Sequence, residues 1–178
     1  ALEEAENTLE TERTNATQNN TELTELENEI KDGNKVLGLT EVTGNGLIIT
    51  INDNQDISLN SWFADPNLLV VHDTDLMRVV NELKNAGAEA ISINDQRIVY
   101  DTYIVDISNT FIRINGQEKI VSPFVVKAIG NPTYLESGLS KKQYGYIDTK
   151  LAEGKDVTLE REKNIVINKY EGNLSMEY

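Results

Sequence analysis

One apolar residue recurs every seven positions along the first forty residues: Leu2, Leu9, Ala16, Leu23, Ile30 and Leu37. The companion positions read Ala5, Glu12, Asn19, Leu26 and Gly33, so only one of the two rows that a coiled coil buries is apolar. Residues 14–21 are rich in Asn and Thr, which are weak helix formers. From residue 21 the pattern tightens, with Leu23, Leu26 and Ile30 set against a Glu-rich outer face. It predicts a stalk over residues 1–40 that is helical from about 21 to 32, weakly helical or frayed before that, and stopped near Gly33. A solvated acidic tail is the alternative.

From residue 41 to 178 the pattern is that of a globular domain. Gly44-Asn45-Gly46 leads into the apolar run 47–51, a first strand. This Gly-x-Gly precedes its strand and lacks a third glycine, so it is not a dinucleotide fingerprint. Leu76, Val79, Val80 and Leu83 mark one face of a helix, with Asp73 or Thr74 to cap it and Gly87 to end it. Residues 89–93 follow as a strand, and Ala88, Ala90 and Ser92 form a small face on which that helix is expected to pack. Asn94-Asp95 predicts a two-residue hairpin turn into a strand over 96–105. Asn115-Gly116 predicts a second hairpin, between 111–114 and 118–121.

A strand over 125–129 ends at Gly130, and Pro132 suits the start of a helix carrying Leu135 and Leu139. A further helical stretch over about 140–152 is interrupted by Gly145. The end reads as a hairpin, 157–160 and 165–167 around a charged turn. Helices alternate with strands, yet most strand connections are hairpins. That predicts an α+β domain with a mainly antiparallel sheet and helices on one face, most simply a ferredoxin-like core with an added hairpin.

Charge sharpens the division. The 178 residues carry 30 acidic and 16 basic side chains, a formal net charge of −14. Residues 1–40 hold ten carboxylates against three bases, so half the excess lies in under a quarter of the chain. No basic cluster offsets it, which argues against nucleic acid as a partner and against direct adsorption to anionic lipid. With no cysteine there are no disulfides, thiolate zinc sites or cysteine nucleophiles. No apolar run is long enough to span a bilayer. The chain begins at Ala1 inside a helical pattern, and a preceding segment carrying a signal or membrane anchor is expected.

Candidate chemistry is sparse. Asn52, Asp53, Asn54 and Asp56 offer oxygens, but Ile57 and Phe63 stand where a calcium loop needs Gly and Glu. His72 is the only histidine; Asp73 and Asp75 beside it are explained by helix capping, so no metal site is expected. No Gly-x-Ser-x-Gly elbow supports a triad. Trp62-Phe63 reads as a lid over the core, and Asn15, Asn19 and Asn173 head Asn-x-Ser/Thr triplets no more frequent than chance. The polar residues of interest are Glu89, Asn94, Arg97 and Asn115. They either share a pocket in which Arg97 binds an anionic group, or serve structure, with Arg97 paired to Glu89 and the two Asn in turns; the latter is favoured.

The run Val71-His-Asp-Thr-Asp-Leu76, then Asn81-Glu-Leu83, Ala86-Gly-Ala-Glu-Ala-Ile-Ser-Ile-Asn94 and Gln96-Arg-Ile98, resembles the signature of domain-of-unknown-function family 881, the YlxW/YlxX-like bacterial proteins. Asn115-Gly116, Pro123-Phe124 and Ala128-Ile-Gly130 continue it, over about residues 40–172. Asp95 stands where that family usually has Gly, and Asp106 where it often has Cys, which removes any thiol role. The resemblance implies an N-terminal membrane helix, a coiled-coil stalk and an outward-facing domain, in bacteria whose neighbouring genes serve division and the envelope. It does not imply a particular activity, and no cofactor is expected.

The function expected is a non-enzymatic, membrane-tethered extracytoplasmic module that binds envelope or division proteins, as a homodimer through stalk or sheet edge. The alternative is a domain for a small anionic or saccharide ligand at Arg97 and its Asn neighbours. A hydrolase of cell-wall material comes last.

Overall fold

The structure is a computed structural model that describes residues 2–17, 21–53, 70–108, 111–141, 144–172 and 174. Most of the calcium-like loop, Trp62-Phe63, and the triplet residues Asn19 and Asn173 lie outside the described residues. The chain divides into two compact units, Ala1–Leu37 and Gly38–Tyr178.

The first unit holds helices α1 (Leu2–Thr17) and α2 (Thr21–Leu37). Before residue 21, where the composition predicts weak helix or fraying, the chain is helical over Leu2–Thr17. The hydroxyls of Thr8, Thr11 and Thr14 donate to the carbonyls of Glu4, Asn7 and Glu10 at 2.7, 2.7 and 2.8 Å. Their polar groups thus bond within the helix, and do not compete with it from outside. Nor does Gly33 stop α2, since a mid-helix glycine costs only about 1 kcal/mol. Lys31 Nζ lies 3.4 Å from Glu10 Oε1. In one straight helix at about 1.5 Å per residue they would be roughly 30 Å apart, so the two helices are not a single rod. Leu9, Leu23, Leu26 and Ile30 of the heptad rows remain exposed.

The second unit is α+β, with two antiparallel sheets and its helices packed into one core. Its elements run β1 (Val42–Asn52), α3 (Asp73–Asn85), β2 (Ala90–Ile93), β3 (Gln96–Arg97), β4 (Ile104–Ser108), β5 (Phe111–Ile114), β6 (Gln117–Ile120), β7 (Phe124–Ile129), α4 (Pro132–Leu139), α5 (Tyr146–Ala152) and β8 (Asp156–Ile167). The larger sheet has the order β3-β2-β7-β1-β8, the smaller β4-β5-β6. One face of the larger sheet presents Leu47, Ile49 and Ile51, opposite Ala128, Val126 and Phe124 of β7. These residues form one buried cluster with Leu76, Val79, Val80 and Leu83 of α3, Leu135 and Leu139 of α4, and Tyr146 of α5. Ile104, Ile112, Ile114 and Ile120 of the smaller sheet complete it.

Both hairpin turns have positive φ at their two central residues, 45° and 64° at Asn94 and Asp95, 51° and 82° at Asn115 and Gly116. That twist matches the flanking strands. Asn131 caps α4, accepting from Thr133 N at 3.0 Å with Pro132 in the first turn.

Four expectations change. The strand over 96–105 stops at Arg97, because Thr102 Oγ1 accepts the Val99 N–H at 2.8 Å and turns the chain toward the second sheet. Ile91 and Ile93, with Ala88 packed against them, share the core with α3, while Ala90 lies opposite with Ile129, Ile165 and Ile167. The larger side chains bury more apolar area against the helix. Gly145 does not interrupt a helix but precedes α5 as its N-cap. The final hairpin is one strand: β8 pairs with β1 from Asn52↔Asp156 to Val42↔Ile167.

What reads as a charged turn is a bulge. Gly44 pairs with Ile165 but Gly46 with Glu162, leaving one extra residue on β8, and Asn164 has φ 60°. The insertion changes which side odd positions face. Val157 and Leu159 therefore pack with the main core, whereas Ile165 and Ile167 join the second cluster.

Candidate functional site

Arg97 follows the Asn94-Asp95 turn and lies directly opposite Ser92 in the β2–β3 ladder. It is buried, at 5% exposure. Its Nη1 donates to the carbonyls of Thr40 and Asn168 at 3.5 and 3.4 Å, long for hydrogen bonds. Burial lowers its pKa from the ordinary 12.5. Asn115 reaches it from the second hairpin, where Nδ2 donates to the Arg97 carbonyl at 2.7 Å. Asn94 is turned the other way: its Oδ1 accepts the Val125 N–H at 2.7 Å and its Nδ2 donates to Pro123 O at 3.2 Å. Glu89 is exposed at the start of β2, where its backbone N–H donates to Ile129 O at 2.8 Å.

The fold thus joins Arg97 to Asn115 but leaves Asn94 and Glu89 elsewhere. The expected Arg97–Glu89 pair does not form, because strand β2 separates Glu89 from Ser92, the residue opposite Arg97.

The residues around His72 build the start of α3. Asp106 of β4 accepts the Asp73 N–H at 2.9 Å and lies 2.8 Å from His72 Nδ1, while Asp73 accepts the Asp106 N–H at 3.2 Å. A carboxylate from another strand thus meets the positive end of the helix. Among the described residues no three His, Asp or Glu side chains are grouped to hold a metal ion.

A buried ionic cluster lies further into the domain, and sequence reasoning missed it. Asp75 takes Lys150 Nζ at 2.5 Å on one oxygen and Lys155 Nζ at 2.6 Å on the other. Both ammonium groups also meet Glu153 Oε2, at 2.6 and 3.1 Å. Burial pushes the Asp75 carboxyl up, but hydrogen bonds from Lys150, Lys155 and the His72 N–H prevail and hold it below its ordinary 3.8. Glu153 is likewise lowered, with the two lysines outweighing burial. Two positive and two negative charges balance, so the cluster clamps α3, α5 and the start of β8. It leaves no spare charge for chemistry. The available signal was Tyr146 and Lys150, four apart on one face of α5.

Tyr146 is fully buried beside this cluster, and its hydroxyl has no hydrogen-bond partner. Burial first, then the carboxylates of Asp75 and Glu153, pushes its pKa far above the ordinary 10.0, with Arg78 opposing. Tyr146→Phe removes an unsatisfied buried group and should stabilise the fold by about 1–2 kcal/mol. Above pH 10 the unfolded phenol ionises while the folded one stays protonated, so the wild type loses stability as pH rises. Denaturant titration at pH 7 and pH 10.5 checks both: the advantage of the Phe variant should widen at the higher pH.

The cavities on this unit are open. One of about 330 Å³ lies between α3 and the segment after β3, with Met77, Tyr100 and Tyr103 on its walls. Another, of about 310 Å³, lies between α3 and α4 around Glu82, Tyr134 and Lys141. Neither contains Arg97 or Glu89.

Residues 29–178 match the family described as "Bacterial protein of unknown function (DUF881)". The chain is 32% identical over 147 residues to UPF0749 protein YlxW of Bacillus subtilis, covering 81% of this chain and 61% of that protein. It is 36% identical over 121 residues to UPF0749 protein YlxX of the same organism, covering 66% and 48%. The match therefore spans between about half and three-fifths of these relatives' length. In fold it is similar to the crystal structure of an uncharacterized conserved protein from Mycobacterium tuberculosis, with a TM-score of 0.67 at 24% identity, over 84% of this chain and 96% of that one. With the match running through both sheets and all the helices of the second unit, the chain belongs to the DUF881 family of bacterial proteins.

Proposed function

We propose that the chain is a non-enzymatic interaction module of the bacterial envelope, tethered to the membrane through a segment outside these residues and binding division or wall proteins. The open edge of β8 carries this reading. The strand is 12 residues long and pairs only with β1 among the described residues. An exposed edge of that length suits addition of an extended segment from a partner. The order β2-β7-β1-β8, with α3 and α4 in the two crossovers, supports a ferredoxin-like core to which β3 and the β4–β6 sheet are additions.

At the charged middle of β8 this edge suits another protein better than a second copy. A twofold axis normal to the sheet keeps each side chain on its own face, so symmetric pairing opposes residues of equal parity. Centred on Arg161, it sets Arg161 against itself and Glu160 against Glu162; centred on Glu162, it sets Glu162 against itself and Arg161 against Lys163. Like charges directly opposite are destabilising. Homodimerisation belongs instead to the exposed Leu23, Leu26 and Ile30 of α2.

Crosslinking with mass spectrometry on the full-length protein in its native membrane should join Lys163 to envelope or division proteins. Crosslinks that spare β8 would remove the edge from the proposal. In sedimentation, Leu23→Glu with Ile30→Glu should convert dimer to monomer; a monomeric wild type would refute the dimer.

A further inference from the structure

We propose that Arg97 anchors a carboxylate-binding site, in which the Nε–Nη2 edge of its guanidinium takes a planar carboxylate supplied from outside the chain. This goes beyond the interaction module and stands without it. Buried charges are ordinarily paired, and Asp75, Lys150 and Lys155 are. Arg97 is as buried as they are, yet has no carboxylate within ion-pair reach among the described residues.

Its two hydrogen bonds both come from Nη1. The other edge, Nε and Nη2, has no acceptor among the described residues and is not among the sealed, unsatisfied atoms. These are parallel donors of the kind that hold a carboxylate with two bonds. Polar groups beside Arg97 lack partners too. Ser92 Oγ, on the residue opposite it, and Thr40 Oγ1, whose own carbonyl it holds, are sealed without a hydrogen bond. Both hydroxyls can rotate to donate.

Gly38, at φ 79°, lies against the same side chain, and a Cβ there would come within 3.5 Å of Arg97 Nε. The same Cβ would meet Val99 Cγ1 at 2.7 Å, so only glycine fits beside this side chain. The charge count selects carboxylate over phosphate. Lys127, opposite Ser92 on the neighbouring strand, is held by Asp95 at 2.6 Å. One unpaired positive charge matches a monoanion.

The test uses the full chain at pH 7, with acetate, phosphate and chloride compared at equal ionic strength. Acetate should raise the melting temperature of the wild type with a saturable dependence, as binding to the folded state requires, and should shift the Arg97 Nε–H resonance. Phosphate should do less, and chloride nothing beyond ionic strength. Arg97→Gln should abolish the acetate increment, and Ser92→Ala should reduce it several-fold. Three results would each overturn the site: a static Arg97 resonance in the wild type, an undiminished increment in Arg97→Gln, or phosphate acting more strongly than acetate. The wild-type resonance remains decisive even if Arg97→Gln fails to fold.

Discussion

Asp75→Asn should destabilise the second unit by about 3–5 kcal/mol, the usual cost of breaking a buried ion pair from one side. At 6% exposure Asp75 has little solvent to screen the loss. The change keeps the shape and removes the charge, so Lys150 and Lys155 must share Glu153 alone. A loss of that size lowers the melting temperature by roughly 10–20 °C in a domain of this length.

The pH dependence identifies the cause. Asp75 and Glu153 both have lowered pKa values when folded, so the unfolded chain takes up protons first as pH falls below about 4. Their contribution is present at pH 7 and lost as pH falls through the lowered values. The gap between wild type and Asp75→Asn should therefore shrink at pH 3. Denaturant midpoints at the two pH values decide it; an equal gap at both would assign the effect to packing, not charge.

Gly46→Ala should cost about 3 kcal/mol, at the upper end for overpacking. A Cβ at Gly46 would fall on the backbone carbonyl of Ala128, not on a side chain that could move aside. Strands β1 and β7 would have to separate where Gly46 pairs with Ile129. The same pairing holds the centre of the five-stranded sheet, so relief at this point displaces Leu47 and Ala128 in the core. Gly33→Ala is the control: its Cβ would meet nothing within 4 Å in α2, and it should not destabilise. Similar melting curves for both variants would mean that the approach of the two strands is not tight.

What the sequence revealed depended on the range of the forces involved. The α3 face, the Asn94-Asp95 and Asn115-Gly116 turns and the Pro132 helix start depend on periodicity or on local φ, and all appear in the structure. The unity of β8 does not show locally. Its charged middle resembles a turn, and only the Glu162 and Ile165 pairings with β1 reveal a bulged edge strand. The lysine cluster is less accessible still. Asp75 is separated from Lys150 and Lys155 by 75 and 80 positions, and the one local signal, Tyr146 four residues before Lys150 on α5, does not point to Asp75. Of the four polar residues that stand out in the sequence, Arg97 and Asn115 meet through the bond from Asn115 Nδ2 to the Arg97 carbonyl, which joins two hairpins distant in sequence. Charge alone suggests a bond between Glu89 and Arg97, and the strand between them decides otherwise.

The pairing of Val42 with Ile167 has a mechanical consequence. With Tyr170 N donating to Gly38 O at 2.8 Å, the chain enters and leaves this unit side by side and in opposite directions. A force applied between residues 38 and 170 would open the β1–β8 ladder from that end, one rung at a time, instead of shearing all its rungs together. Load of that kind is carried by a few hydrogen bonds at any moment. The unit is therefore compliant along this axis, and its last rungs to yield are those beside Ile51 and Val157, where the ladder meets the main core.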